Sequence, residues 1–268
     1  MRVACVQLRG GADKADTWGR AEKLVEQAAG EGARMVVLPE KWNAIGDAAV
    51  LRGAAEEIPG GDTSRLLSEW AHRLGVTIVG GSITESHDGV LSNTCPVFGP
   101  DGALLARYRK IHMFDVEVGG QVYRESETET AGDRPEVVET EGWRVGLTVC
   151  YDVRFPELYR QETLMGADVI TVPAAFTMFT GKDHWELLLR ARAVENQLYI
   201  VAANQWSSFA PGKQTYGRSM IIDPWGVLLA VAPDADCVIS ADLDRERMER
   251  IRRELPSLAN RQPHAYNG

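Results

Sequence analysis

WRVGLTVCYDVRFPEL, residues Trp143–Leu158, contains the sharpest change of local pattern in this chain. Trp143–Val149 is apolar and rich in β-branched residues, which predicts a buried strand, whereas Tyr151–Leu158 carries residues typical of a turn and a helix start. A side chain at the junction, Cys150, would project from the edge of a sheet, where the following backbone N–H groups are free to bind an oxyanion. We therefore expect Cys150 to be a catalytic nucleophile. The alternative is a small core residue, which many free cysteines are.

The composition predicts one α/β domain spanning residues 1–268. Hydrophobic residues make up 44% of the chain, enough for a sizeable core. A net charge of −9 argues against a nucleic-acid surface and against anionic membranes, and no segment is long enough to span a bilayer. The four cysteines show no C-x-x-C pair and no zinc-ligand spacing, so we expect neither disulfides nor a metal site. The N-terminal MRVACVQL predicts a strand rather than a signal peptide, which favours a cytoplasmic location.

The order of the predicted elements indicates the architecture. Strand Arg2–Leu8, a helix that ends before Gly30, and strand Met35–Leu38 form a β-α-β unit, whereas later strands are joined by hairpin turns such as the one at 99–102. This mixture predicts two mixed sheets packed face to face with helices on the outer faces, a four-layer αββα sandwich. The C-terminal tail, about 256–268, is irregular, and we expect it at a subunit interface.

Two further regions lead to predictions. The segment from 111 to 133 has little periodicity, so we expect a long connection that forms part of a site wall or lid. It contains several glutamates, and composition does not choose among them: Glu117, Glu125, Glu127 and Glu129. Spacings of three and four between apolar residues predict a helix from Asp183 to about Gln197, with Asp183 as its N-cap.

Two charged residues follow predicted strands in the same way as Cys150. Glu40 follows an apolar strand and Pro39, and Lys110 comes just after another strand. Each alone has an ordinary interpretation, a solvated loop glutamate or a lysine that protects a sheet edge. Together they suit a cysteine nucleophile, because a cation lowers the pKa of a thiol and a carboxylate can accept its proton. The sequence therefore predicts one catalytic site built from Glu40, Lys110 and Cys150.

The segments around these residues resemble the signature segments of a known family. VVLPE at 36–40, ARYRKIHMFD at 106–115 and GLTVCYDVRFPEL at 146–158 are similar to those of the nitrilase superfamily of carbon–nitrogen hydrolases. The resemblance continues through 173–205 and 216–226, so it covers nearly the whole chain. Within the superfamily, the sequence around 97–115 and 175–197 resembles that of the Nit branch.

The resemblance implies an αββα sandwich, assembled as a homodimer or higher homo-oligomer, with a Glu-Lys-Cys triad that needs no cofactor. Glu40 would be the general base and acid, and Cys150 the nucleophile. Lys110 and the backbone N–H of Tyr151 would bind the oxyanion. Glu125, in the segment YRES, matches a second glutamate of the family that would position the lysine and water.

The Nit branch includes ω-amidases and deaminated-glutathione amidases. Membership would imply hydrolysis of a small carboxylate-bearing amide to an acid and ammonia through a cysteine thioester. His184, Arg154 and Phe176 are the candidate substrate contacts. One alternative activity is that of a nitrilase or an N-carbamoyl-amino-acid hydrolase. Another possibility is a non-catalytic protein of the same fold that only binds amides, although the intact Glu40, Lys110 and Cys150 argue against it.

Overall fold

The structure, a computed structural model, describes residues 1–210 and 212–265, with residues 209 and 210 described by their backbone alone. Its strands are β1 Arg2–Gln7, β2 Met35–Val37, β3 Thr77–Val79, β4 Ile83–His87, β5 Val90–Phe98, β6 Leu104–Arg109, β7 Asp115–Val118, β8 Gln121–Arg124, β9 Val137–Thr140, β10 Trp143–Leu147, β11 Val169–Thr171, β12 Tyr199–Ala202, β13 Trp206–Ala210, β14 Lys213–Tyr216, β15 Met220–Ile222, β16 Leu228–Val231 and β17 Cys237–Asp242. Its α-helices are α1 Lys14–Gly30, α2 Ala48–Ala54, α3 Asp62–Leu74, α4 Pro156–Leu164, α5 Met178–Asn196 and α6 Arg245–Glu254.

Two large mixed sheets contain most of the strands. The first has the order β17-β1-β2-β3-β5-β4, with β6 also paired to β5, and the second has the order β16-β15-β12-β11-β10-β9. Each has a parallel centre of three strands, β1-β2-β3 in one and β10-β11-β12 in the other, with antiparallel strands outside it. Two separate hairpins, β7-β8 and β13-β14, complete the β structure.

Successive side chains along a strand point to opposite faces of the sheet and so pack in different layers. In β1, Val3 and Cys5 belong to the buried cluster that also contains Val145 of the second sheet, whereas Ala4 and Val6 pack in the cluster formed with α1 and α3. This is the two-residue period of a strand that is buried on both faces. Helices α4 and α5 cover the other face of the second sheet. The predicted four-layer αββα sandwich is confirmed.

The structure corrects the start of one predicted helix. Helix α5 begins at Met178, and its N-cap is Thr177, whose side chain accepts a hydrogen bond from the backbone N–H of Thr180. Asp183, the predicted N-cap, therefore lies inside the helix. The apolar spacing located the helix but not its first turn, because that turn faces a cavity rather than the core.

The connection from 111 to 133 is also more regular than predicted. It contains the hairpin β7-β8, whose two-residue turn is Gly119-Gly120, and both glycines have positive φ, 59° and 72°. Such a pair is a known signal of a tight hairpin.

The predicted C-terminal tail ends the described chain in a short 3-10 turn, Pro263–Ala265, and residues 266–268 lie outside the described residues. Among the helices of the described chain, none combines the length and apolar character needed to cross a membrane.

Candidate active site

Cys150 lies just past the end of β10, as the sequence predicted. The strand ends at Leu147, and a 3-10 helix, Cys150–Arg154, starts at the cysteine itself. Cys150 has φ of +50°, in the left-handed region that is uncommon for a residue with a side chain. Its N–H donates to the carbonyl of Pro173 at 2.8 Å. The turn therefore holds the side chain of Cys150 in one specific direction, and such strained residues concentrate at active sites.

Asp152 holds this turn in place through hydrogen bonds to its carboxylate. Its carboxylate is fully buried and accepts hydrogen bonds from the backbone N–H of Val149 at 2.8 Å and from the hydroxyl of Tyr108 at 2.7 Å. The backbone N–H of His112 donates to it at 3.2 Å, and the Nδ1 atom of the same residue lies 2.7 Å away. Because Tyr108 and His112 flank Lys110 in the chain, Asp152 connects the segment that carries the lysine to the turn that carries the cysteine.

Glu40 and Lys110 meet next to this turn. Glu40 follows β2 and is buried, and its Oε1 accepts hydrogen bonds from Nζ of Lys110 at 3.1 Å and from Nδ2 of Asn93 at 2.9 Å. Its Oε2 accepts from the backbone N–H of Ala175 at 2.9 Å. Three different segments thus hold one carboxylate in place.

Glu125 lies on the other side of the lysine. Nζ of Lys110 donates to its Oε1 at 3.0 Å and to its Oε2 at 2.7 Å. Asn93 Nδ2 and the backbone N–H of Phe114 also donate to it, at 2.9 Å and 2.8 Å. The structure therefore brings Glu40, Lys110, Cys150 and Glu125 together, although they come from four separate parts of the chain.

The charges of this cluster determine its protonation states. Burial by itself lowers the pKa of Lys110, but the carboxylates of Glu125 and Glu40 and the nearby thiol outweigh it and raise the pKa well above its usual range. Burial opposes the ionisation of Glu125, yet the ammonium groups of Lys110 and Lys41 lower its pKa to about 2. The lysine is therefore a permanent cation, and Glu125 is a permanent anion at neutral pH.

The pKa of the Cys150 thiol is shifted away from ionisation, unlike that of Lys110 or Glu125. Burial and the negative charge of Glu40 raise its pKa well above its usual range, and the hydrogen bond to Glu40 adds to this effect. The positive charge of Lys110 and a hydrogen bond with the backbone of Ala175 oppose the shift without cancelling it. The resting site consequently holds a neutral thiol beside a carboxylate that can accept its proton.

A cavity of about 450 Å³ opens onto these four residues. Its walls include Tyr151 and Phe176, and the hairpins contribute Tyr123 and Lys213. A cavity of this size is in the range that binds small molecules.

Arg154 and His184, two of the predicted substrate contacts, are not among the residues that line this cavity. The guanidinium of Arg154 lies 5.2 Å from the ring centre of Phe176 and donates to Nδ1 of His184 at 3.4 Å. Phe176, the third predicted contact, does line it. The arginine and the histidine thus adjoin the aromatic residues of the wall without lining the cavity themselves.

Sequence reasoning missed Lys41 and Asn93, and it named Glu129 only as one of several glutamates in the connection from 111 to 133. Lys41 and Glu129 form a buried ion pair in the cavity wall, and Nζ of Lys41 also donates to Oγ1 of Thr84 at 3.2 Å. Asn93, inside β5, bridges the two glutamates. A buried amide within an apolar strand was the available signal for Asn93, because such a group requires partners. In residues 1–210 and 212–265, no group of three or more His, Cys, Asp or Glu side chains is arranged to hold a metal ion.

Comparison with known proteins agrees with this geometry. The Carbon-nitrogen hydrolase family profile matches residues 2–253. Omega-amidase NIT2 of Danio rerio is 42% identical over 267 residues, which cover 99% of this chain and 96% of that protein. The NitFhit protein of C. elegans superposes with a TM-score of 0.91 at 32% identity, covering 99% of this chain and 66% of that one. Nit3 of Saccharomyces cerevisiae, a member of branch 10 of the nitrilase superfamily, gives a TM-score of 0.88 at 32% identity over 98% of this chain and 96% of its own. The predicted resemblance is confirmed, and the chain belongs to the carbon–nitrogen hydrolase family.

Proposed function

We propose that this chain is an ω-amidase, which hydrolyses the terminal amide of a small carboxylate-bearing substrate such as 2-oxoglutaramate to a carboxylic acid and ammonia. The contact that carries the proposal is the 3.1 Å hydrogen bond between Lys110 and Glu40, beside the thiol of Cys150 and facing the cavity. An ammonium, a carboxylate and a thiol at one point are the groups that acyl transfer requires. The NIT2 relatives, which are omega-amidases by name, support the substrate class.

In the first step, Glu40 takes the thiol proton of Cys150 while the sulfur attacks the amide carbon. The C–S bond forms as the carbonyl π electrons move to the oxygen, which becomes an oxyanion. We assign its stabilisation to Nζ of Lys110 and to the backbone N–H of Tyr151. This N–H lies in the first turn of the 3-10 helix, where N–H groups have no carbonyl partner within the helix.

In the second step, the oxyanion reforms the carbonyl and the C–N bond breaks. Glu40, now a carboxylic acid, donates its proton to the leaving nitrogen, so ammonia departs and a thioester remains on Cys150. Water then attacks the thioester carbon and gives its proton to Glu40. The C–S bond breaks, and the proton returns from Glu40 to the sulfur, so the site is regenerated.

Glu125 acts through Lys110 in this scheme. Its two hydrogen bonds, of 3.0 and 2.7 Å, hold the ammonium in place, and its negative charge keeps the ammonium protonated when Glu40 becomes neutral. Phe176 contacts the substrate from the cavity wall. We assign Arg154 and His184 to the support of that wall, because neither lines the cavity and the guanidinium of Arg154 packs near the rings of Tyr151 and Phe176.

The proposal is tested by ammonia release from a panel of compounds: 2-oxoglutaramate, deaminated glutathione, glutamine, a simple aliphatic nitrile and an N-carbamoyl amino acid. We expect 2-oxoglutaramate to have the highest kcat/KM. The ω-amidase proposal fails if the nitrile or the carbamoyl compound is the preferred substrate, or if no compound reacts although iodoacetamide alkylates Cys150. The last result would favour a protein that only binds amides.

We also propose a homo-oligomer, a dimer or larger. Leu187 and Val194, seven residues apart on one face of α5, are 66% and 48% exposed, which is unusual for apolar side chains on a long helix. The mass in solution, from light scattering, tests this proposal, and a monomer at micromolar concentration would contradict it. A cytoplasmic location is proposed because the nucleophile requires a reduced thiol and the four cysteines are unpaired.

A further inference from the structure

We infer that Lys213 is the residue that binds the carboxylate of the substrate, at the end of the cavity wall formed by the two hairpins. This inference rests on the proposed function, since it concerns which residue gives the amidase its preference for anionic amides. Lys213 is the first residue of β14 and lines the same cavity as Cys150.

The two hairpins meet where Lys213 lies. Its Nζ is 5.1 Å from the ring centre of Tyr123 in β8, a distance at which an ammonium is attracted to an aromatic face. The neighbouring Gly212 is so close to β8 that a Cβ there would come within 2.8 Å of Nε2 of Gln121. The contact between the hairpins thus holds the ammonium at the cavity wall.

The strand that carries Lys213 is fixed to the body of the protein. Thr215, two residues further and on the same face of β14, is buried and forms a β-bridge with Thr177 at the start of α5. The backbone N–H of Tyr216 donates to the carbonyl of Phe176 at 2.8 Å. Thr177 and Phe176 also line the cavity, so the backbone that holds Lys213 is attached to that cavity's own wall.

An aromatic path connects Lys213 to the reaction centre. The rings of Tyr123 and Phe114 are 4.9 Å apart between centroids, and those of Phe114 and Tyr151 are 5.0 Å apart. Tyr151 directly follows the nucleophile. All three rings line the cavity, so this row of aromatic side chains extends from the residue after the nucleophile to Lys213.

The other cations of the cavity wall already have partners. Lys110 is bound by Glu40 and Glu125, and Lys41 by Glu129. Arg124 is exposed and donates to backbone carbonyls of its own hairpin. Among the residues that the structure describes, no carboxylate forms an ion pair with Lys213. It is therefore the cation of this wall that is free to bind an anion.

Arg154 also has no carboxylate partner among the described residues, but its position differs. Burial lowers the pKa of Arg154, and its guanidinium lies 5.9 and 5.2 Å from the ring centres of Tyr151 and Phe176. Tyr151 and Phe176 line the cavity, whereas Arg154 does not. Lys213 is half-buried within the lining itself, so a carboxylate reaches it without displacing the wall.

The test compares two amides that differ only at the distal end: 2-oxoglutaramate, and 4-oxopentanamide, in which a methyl group replaces the carboxylate. We expect Lys213→Met to raise the KM for 2-oxoglutaramate about 10- to 100-fold, the value of one charge-assisted hydrogen bond, with kcat and the kinetics of 4-oxopentanamide unchanged. Lys213→Arg should recover most of the loss. Lys182→Met is the matched control, because Lys182 also lies over an aromatic ring, 5.8 Å from the centre of Phe179, but does not line this cavity.

The inference is wrong if Lys213→Met impairs both amides equally, which would indicate a structural role, or if Arg154→Met rather than Lys213→Met removes the preference for the anionic amide.

A binding measurement separates failure of this inference from failure of the proposed function. 2-Oxoglutarate should protect Cys150 from alkylation by iodoacetamide, and Lys213→Met should require about 10-fold more of it. If the concentration of 2-oxoglutarate needed for protection rises in this way but the protein hydrolyses none of the amides, the carboxylate site is supported and the ω-amidase proposal is wrong. If protection is the same in both proteins, the carboxylate site falls.

Discussion

The strand-end cluster, Glu40, Lys110, Glu125 and Cys150, and the two hairpins that wall the cavity are built in different ways. Lys110 is 2% exposed and the cluster is held by hydrogen bonds from several segments, whereas Val122 in β8 is 50% exposed. Reacting groups need fixed positions, which buried sheet ends provide, and substrate contacts need access, which hairpins provide. Substitutions in the cluster should therefore change kcat, and substitutions in the hairpins should change KM.

The largest effect is expected for Cys150→Ala, which removes the nucleophile. We expect kcat to fall at least about 10⁴-fold with the fold unchanged. Steady-state kinetics and circular dichroism measure this. Cys95→Ala is the control, because Cys95 is a fully buried core residue whose pKa is also raised by burial, without a lysine beside it. It should retain full activity and lose about 1 kcal/mol of unfolding free energy. Turnover by Cys150→Ala would refute the nucleophile assignment.

Glu40→Gln keeps the shape of the side chain but cannot accept a proton. We expect kcat to fall about 10²- to 10⁴-fold, the usual contribution of general acid–base catalysis, with little change in KM. Single-turnover kinetics should show both slow acylation and slow hydrolysis of the thioester. A variant that acylates at the normal rate would move the role of base to another residue.

Glu125→Gln should have a smaller effect on kcat, about 10- to 100-fold, because Glu125 acts through the lysine. It also gives a pH test. Its pKa is lowered from the usual 4.5 to about 2, so its ionised form stabilises the folded state above pH 4.5, and this contribution is lost as the pH falls from 4.5 towards 2. The difference in unfolding free energy between the native protein and Glu125→Gln should therefore shrink over that range. Urea unfolding at a series of pH values measures it, and a constant difference would contradict the assignment.

The smallest effect is expected in the hairpins. Tyr123→Leu removes the ring beneath Lys213 and the contact with Phe114, so we expect the KM for 2-oxoglutaramate to rise about 3- to 10-fold while kcat is unchanged. Glu117→Gln, on the exposed side of β7, should leave both constants as they are. A loss of kcat in Tyr123→Leu would show that the hairpins also take part in positioning the reacting groups.

The same contrast explains what the sequence could predict. Strand β1 starts at Arg2 as predicted and ends one residue before Leu8, and Cys150 follows its strand as expected, because buried strands leave continuous apolar runs that end in turn residues. Glu40 and Lys110 could be placed at strand ends for the same reason. Local pattern therefore located the reacting groups, although their convergence is a property of the tertiary structure.

The hairpin β7-β8 was harder to predict because only one side of it is even partly buried, so its apolar signal is weak. In β7-β8 the pair Gly119-Gly120 was the signal that could have identified the turn. Lys213 follows a Pro-Gly pair, and nothing in the local sequence distinguishes it from any surface lysine. Its importance comes from Tyr123, which is 90 positions away in the chain and becomes a neighbour only after folding.

Asp152 has a consequence for how the protein loses activity. Its carboxylate holds the hydroxyl of Tyr108, from the first sheet, and the turn after β10, from the second, so one buried group spans the sandwich. Sliding one sheet against the other would break these bonds and misalign sulfur and ammonium while each sheet kept its own hydrogen bonds. Under mild denaturing conditions, turnover should therefore vanish while the far-ultraviolet spectrum is still native, which makes activity a sensitive gauge of sheet-to-sheet alignment.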